Sequence, residues 1–335
     1  MKRKSFSLGR FLYDNTTAFM MLGIFAFFSV FAEGFLSIGN ITTVLSSSSV
    51  LLLVSIGMCF VVISGGTDLS VAAAYGMGGL VCVYAIRAGI PAEAGILLAL
   101  AAGLVFGLIN SFLILKVGIS VWLATLGTLF IGESIERIVT KGGTPVYLSG
   151  VDGVFKSIGQ GTVVNIVQKG ANITIKSSIV LALIIAVAAA FILKKTVLGR
   201  HLYAAGLQRR AAELSGVSVG KCVTIAFVVS GACCCLAGVI GGAQLSSYIP
   251  VNGRYYLLDA IGTVFIGSTM HRRGFANVGG TIVGVIFFGF LTNGLNLIGV
   301  QFYWQYVIRG GLILFVLAVN AYQRNVWALR TRRHQ

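Results

Sequence analysis

Long stretches with almost no charge follow one another along this chain, separated by short polar turns. Apolar runs lie near residues 15–36, 44–63, 69–86, 94–115, 119–139, 177–193, 223–245, 257–270, 277–298 and 302–321. A bilayer's hydrocarbon core takes roughly 20 apolar residues at about 1.5 Å each, so these runs predict membrane-crossing helices. Lipid offers no water to a bare backbone, and a helix satisfies its own N–H and C=O groups. The expected fold is an all-α integral membrane protein with about ten transmembrane helices, a single transmembrane domain over residues 1–335. The first run follows Lys2, Arg3 and Lys4 but lacks an A-x-A cleavage pattern, and it reads as a retained first helix.

Composition supports the same solvent. Of 335 residues, 57% are hydrophobic and 10% charged, against roughly 45–50% and about 25% in soluble domains. The 44 glycines beside 3 prolines suit helices whose backbones approach closely. Cys59, Cys82, Cys222, Cys233, Cys234 and Cys235 lie in or beside apolar segments without metal-ligand spacing, and read as small buried hydrophobes.

The net charge of +16 could point to nucleic acid, but its placement does not. With the N-terminus inside and ten crossings, 17 of the 25 basic residues fall in inner segments. They include Lys2, Arg3, Lys4, Arg10, Lys194, Lys195, Arg200, Arg209, Arg210, Arg272, Arg273, Arg324, Arg330, Arg332 and Arg333. The bias is the positive-inside rule with both termini cytoplasmic, and no basic, aromatic-interleaved nucleic-acid surface is expected.

Two loops are longer than connectors need to be. The outer stretch 140–176 is polar, and its alternation from Val163 to Ile175 fits a short hairpin or a helix on the outer surface. The inner stretch 198–221 is basic and helix-compatible.

The hexamer Gly65-Gly66-Thr67-Asp68-Leu69-Ser70 recurs as Gly241-Gly242-Ala243-Gln244-Leu245-Ser246, an offset of 176. Gly103 and Gly107 recur as Gly280 and Gly284 at an offset of 177. In the expected topology these matches make spans two to five and seven to ten inverted repeats, an arrangement that commonly places a pathway at the repeat interface. Chance in a glycine-rich chain is the plainer reading of the hexamers, and close packing that of the glycine pairs.

Candidate chemistry is sparse. A Walker A loop ending at Lys221 would need glycine at 215 and Ser or Thr at 222, where the chain has Ser215 and Cys222. His201, His271 and His334 are far apart and have no nucleophile motif beside them. Asp68 either caps the following helix or serves a site; Asp259 reads as a first-turn acid facing a helix dipole. Glu133, Glu136 and Arg137 read as a solvated cluster near an outer end. Arg309, after Tyr303, Trp304 and Tyr306, either snorkels to the interface, pairs with Asp259 to hold two spans together, or hydrogen-bonds a polar solute.

Taken in order, several segments resemble the permease subunits of ribose-type ABC importers, over nearly the whole chain. They are Ser64 to Val71, Ala124 to Thr128, Gly142 to Val146, Thr196 to Arg200, Ala211 to Val217, Leu258 to Ile261, and Asn293 to Val300. The resemblance implies a permease in the bacterial inner membrane that moves a small polar solute and pairs with a second copy or close paralogue. It implies an ABC ATPase dimer inside, which would bind ATP and magnesium, and a periplasmic sugar-binding protein outside; no cofactor is expected in this chain. It assigns ATPase coupling to Ala211, Ala212, Glu213, Leu214, Ser215 and Gly216, and a loop motif to Gly65, Gly66, Asp68 and Ser70. Asn110, Asp259, Asn293 and Arg309 are expected to line a pathway or pair helices.

The chain departs from the family pattern at Ala72, at Asn110-Ser111 and in the turn Ser268 to Gly274, so solute specificity is not carried over. Two alternatives stand beside the resemblance. The inner segment could be an amphipathic helix lying on membrane lipid. The whole could be a free-standing secondary transporter or channel, which would call for mid-membrane titratable groups or a selectivity motif.

Overall fold

The computed structural model describes residues 16–150, 153–168, 171–269 and 274–332. Lys2, Arg3, Lys4, Arg10, His271, Arg272, Arg273, Arg333 and His334 therefore lie outside the described residues. Each of the ten apolar runs is a helix: α1 (Thr16–Phe31), α2 (Ile38–Ile63), α3 (Val71–Arg87), α4 (Ala92–Phe112), α5 (Val121–Val139), α7 (Ser177–Lys195), α10 (Val219–Leu245), α11 (Arg254–Thr269), α12 (Val278–Leu297) and α13 (Phe302–Arg332). The short helices α6 (Val154–Gln160), α8 (Val197–Leu207) and α9 (Arg209–Leu214) lie in the two long loops. Among the described residues, five helices are long and apolar enough to cross a membrane: α2, α4 with its terminal π turn to Val117, α7, α10 and α12. The apolar stretches of α1, α3 and α13 are shorter. Helix α2 begins at Ile38, several residues before its apolar run, because Ser37 Oγ caps it there by accepting from Asn40 N–H at 3.3 Å.

Small residues decide which helix is central. The sequence Gly231 to Ala243 on α10 is apolar or small on every face, and α10 packs against α2, α3 and α4. Gly103 and Gly107 bring α4 onto the α10 backbone at Gly231 and Phe227, and Gly57 brings α2 onto Ser230. Gly280 and Gly284 do the same for α12 against Gly267 and Thr263 of α11. Both glycine pairs are thus packing faces, and they face different partners. Of α2's most apolar stretch 89% is buried, but only 28% of that in α4 and in α7. The latter two expose Leu97, Leu98, Leu104, Leu108, Ile184 and Phe191, the surface expected to meet lipid.

The fold is not purely helical, and the 140–176 stretch carries most of the exceptions. Strand β1 (Val146–Tyr147) pairs antiparallel with β4 (Ser247–Tyr248), and β2 (Thr162–Gln168) forms a hairpin with β3 (Ala171–Lys176). Between them α6 seats Phe155 and Gly159 on the end of α10. Gln160 Nε2 donates to the carbonyls of Ala243 (3.0 Å) and Gln244 (3.2 Å) and to Ser246 Oγ (3.0 Å), satisfying orphan acceptors of that helix end. The 163–175 alternation is the hairpin, not a surface helix.

The two copies of the repeated hexamer differ in conformation. The first is the loop between α2 and α3; the second is the last turn of α10, ending at Ser246 with φ 49°. The segments C-terminal to the two copies nevertheless converge. Gly253, just before α11, packs on the carbonyl of Ala72 at the start of α3, and the Tyr75 and Tyr256 rings lie 5.0 Å apart.

Candidate functional site

The α2–α3 loop is built around Asp68. Gly65 adopts φ +92°, where a side chain would be strained, and a Cβ there would lie 3.2 Å from Gly206 Cα of α8. Gly66 fits between Val61 and Val121. This turn returns the chain into the bundle and buries Asp68. Its Oδ1 accepts from the backbone N–H (2.9 Å) and the hydroxyl of Ser70, and its Oδ2 accepts from Ser230 Oγ on α10 (2.7 Å). Ser70 Oγ accepts from Asn110 Nδ2 on α4 (2.8 Å), and Thr128 Oγ1 on α5 donates to Asn110 Oδ1 (2.7 Å). One chain of bonds therefore joins α10, the loop, α3, α4 and α5. Asp68 does not cap α3, whose N-cap is Ser70; its bond to Ser70 N–H closes a turn just before the helix, and the carboxylate also holds a distant helix. A carboxylate out of water needs this many donors to offset its lost hydration.

A second polar cluster joins α11 and α13. Arg309 Nη1 donates to Asp259 Oδ2 at 2.9 Å, and Arg309 is 2% exposed. The arginine does not snorkel: the acid partner lies within the protein, and the Tyr255 ring covers the guanidinium at 5.6 Å. Asp259 is in the second turn of α11, too far along for a first-turn dipole contact. Arg309 Nη2 donates to Gln305 Oε1 (3.2 Å), whose Nε2 donates to Asn296 Oδ1 (2.7 Å) and the Val300 carbonyl (2.9 Å). Asn293 is apart from this cluster, exchanging two 2.8 Å amide bonds with Asn40 of α2.

Glu133 and Glu136 are not solvated; both are buried. Glu133 is paired in two-pronged fashion with Arg254, and Arg137 is 3.7 Å away. Glu136 Oε2 accepts from Tyr248 Oη and Val251 N–H, each at 2.7 Å. Val251 sits at φ 62°, costly for a β-branched residue, and the carboxylate holds its amide there. Sequence reasoning missed Ser230 and Gln305, lone polar groups in helices that form no motif, and Tyr248 of β4; Thr128 stands in it only as part of the segment Ala124 to Thr128.

In the 198–221 stretch, α8 is capped by Thr196 Oγ1, which accepts from Gly199 N–H at 3.3 Å, and α8 packs Gly206 on the Ile63 carbonyl at the end of α2. The segment Ala211 to Gly216 then forms most of α9 and its end. Val217 N–H bonds to the Ala212 carbonyl at 3.0 Å across Gly216 at φ +80°, a glycine-closed helix end. Ala212 is buried, Leu214 is 90% exposed, and Glu213 meets Arg209 at 3.3 Å on the surface.

A family model described as branched-chain amino acid transport system / permease component matches residues 40–317. The ribose import permease protein of Haemophilus influenzae is 33% identical over 320 residues, covering 95% of this chain and 96% of that protein. The D-allose transport system permease protein of Escherichia coli is 31% identical, covering 95% of each chain. The galactose/methyl galactoside import permease protein of Salmonella typhimurium is 31% identical, with 86% of this chain and 88% of that one covered. No solved structure matches the chain.

Proposed function

This chain belongs to the family of branched-chain amino acid transport system permease components, and from that membership we propose that it is the transmembrane subunit of an ATP-driven importer carrying a sugar or sugar-like solute into the bacterial cytoplasm. The observation that carries the reading is the end-to-end match, over 95% of the chain, to proteins described as ribose and D-allose permeases.

In this reading the ten helices that coincide with the apolar runs each cross the inner membrane, with both termini inside. The distribution of lysine and arginine supports that orientation. Spans two to five and seven to ten are inverted repeats, which the convergence of α3 and α11 behind the two hexamers supports. The stretch 140–176 is periplasmic and helps receive a solute-loaded sugar-binding protein. A second copy of the permease, or a close paralogue, completes the pathway.

Residues 198–221 are the cytoplasmic coupling segment. Helix α9 projects Leu214 with almost none of its surface covered by the rest of the chain, while Ala212 anchors the helix from beneath. ATP and magnesium are bound by a partner ATPase seated on α9, whose closure is passed to α2 through the contact of α8 with Ile63 and Gly65. Asp68, Ser70 and Asn110 keep the α2–α3 loop rigid against that load.

Co-purification from native-like membranes tests the assignment. An ABC ATPase is expected to accompany the wild type and to be lost from Glu213→Arg, with the membrane fold unchanged by circular dichroism. Recovery of the protein alone, still moving solute without ATP, would replace this reading with a secondary transporter.

A further inference from the structure

Among the described residues, four buried side-chain atoms have no hydrogen-bond partner: Ser48 Oγ, Glu136 Oε1, Asp259 Oδ1 and Arg309 Nε. Two of the four belong to one ion pair. Arg309 and Asp259 are joined at 2.9 Å, yet Arg309 Nε and Asp259 Oδ1 are each left without a partner. A clamp meant only to hold α13 to α11 would gain from closing both, because each buried open atom forfeits a bond that water would have supplied. Gln305 is not free to close them: its amide is committed to Arg309, Asn296 and Val300. The cover is thin. Residue Tyr255, whose ring lies over the guanidinium, is 39% exposed as a whole, and Tyr306, with its ring 5.5 Å from that of Tyr255, is 38% exposed.

We propose that the Asp259–Arg309 pair is a hydroxyl-binding site for the transported solute, uncovered when Tyr255 swings aside. A hydroxyl both accepts and donates, so neighbouring hydroxyls of a polyol can accept from Arg309 Nε–H and donate to Asp259 Oδ1. An acyl chain would satisfy neither open atom, and a lone anion or cation would satisfy only one. This inference rests on the reading of the chain as an importer of sugar-like solutes and names the residues that touch them.

The test uses the assembled importer in proteoliposomes, with saturating loaded binding protein so that its own selectivity drops out. Uptake of D-ribose is compared with that of its 2-, 3- and 5-deoxy analogues. The wild type is expected to move at least one analogue about tenfold more slowly than ribose, the loss of one charge-assisted hydrogen bond. In Arg309→Lys, which keeps the ion pair but has no second fork edge, that gap collapses to within about twofold. If Arg309→Lys fails to assemble, Asp259→Asn is compared in the same way. Slowing of ribose and all analogues by one common factor, with the gap preserved, would make the pair a structural, water-bridged clamp and overturn the proposal. A wild type that takes up none of ribose, allose and galactose would overturn the sugar reading itself, and this inference with it.

Discussion

Asp68 and Ser230 are 162 residues apart in sequence and 2.7 Å apart in space, and their bond ties the loop after α2 to the middle of α10. Because Asp68 also takes both donors of Ser70, it is the one group in that loop whose removal strands three donors at once.

Replacing Asp68 with Ala is expected to lower stability by about 2–3 kcal/mol, since the Ser70 N–H and two hydroxyls are left buried and unmatched. Asn at the same position can still accept from Ser70 and bond Ser230, and should cost less than half as much. Asn110→Ala breaks a link further along the chain of bonds and should cost about 1 kcal/mol, the usual scale for a neutral interhelical bond in a membrane. Denaturation of the purified protein in mixed micelles measures all three. Equal losses for Asp68→Ala and Asp68→Asn would show that charge, not hydrogen bonding, holds the loop.

The range of each interaction decided how much of the fold and site was legible in the sequence. Helices are written locally, in runs of apolar residues, and each of the ten runs is a helix. The Arg309–Asp259 pair was legible because a charge within an apolar span demands a partner and few acids were on offer. Glu133 and Glu136 misled because their partners, Arg254, Tyr248 and Val251, lie more than a hundred residues away across the outer loop. Ser230 was silent for another reason, and the bond of Thr128 to Asn110 was not legible from its motif. A hydroxyl in a helix can bond its own preceding turn, as Thr128 also does to Ala124 at 3.1 Å, so its presence carries no address.

Glycine substitutions should separate packing faces from lipid faces. At Gly107 an added side chain would run into the backbone of Phe227 and Val228, so Gly107→Val is expected to force α4 from α10 and cost more than about 3 kcal/mol. At Gly127 of α5 nothing lies within 4 Å, and Gly127→Val should be neutral to within about 0.5 kcal/mol. Yield of monodisperse protein in detergent, followed by thermal melting, distinguishes them. A destabilised Gly127→Val would instead place a second protein surface against α5.

The last contrast lies within α9, where two neighbouring residues face opposite ways. Ala212 is 5% exposed and packs into the hydrophobic core, whereas Leu214 is 90% exposed, with an apolar side chain that the rest of this chain does not cover. An aspartate at 212 would bury an unpaired carboxylate, so Ala212→Asp is expected to lower the melting temperature of the permease itself. An aspartate at 214 would leave the fold alone, within about 0.5 kcal/mol, because the position is 90% exposed. If α9 is where the ATPase docks, Leu214→Asp should nevertheless weaken the complex about tenfold or more, as loss of a buried apolar anchor at an interface does. Thermal melting and pull-down of the ATPase, run on the same two variants, separate the effects. A Leu214→Asp protein that melts normally and retains its ATPase at full affinity would remove α9 from the docking surface and move the coupling contact elsewhere on the inner face.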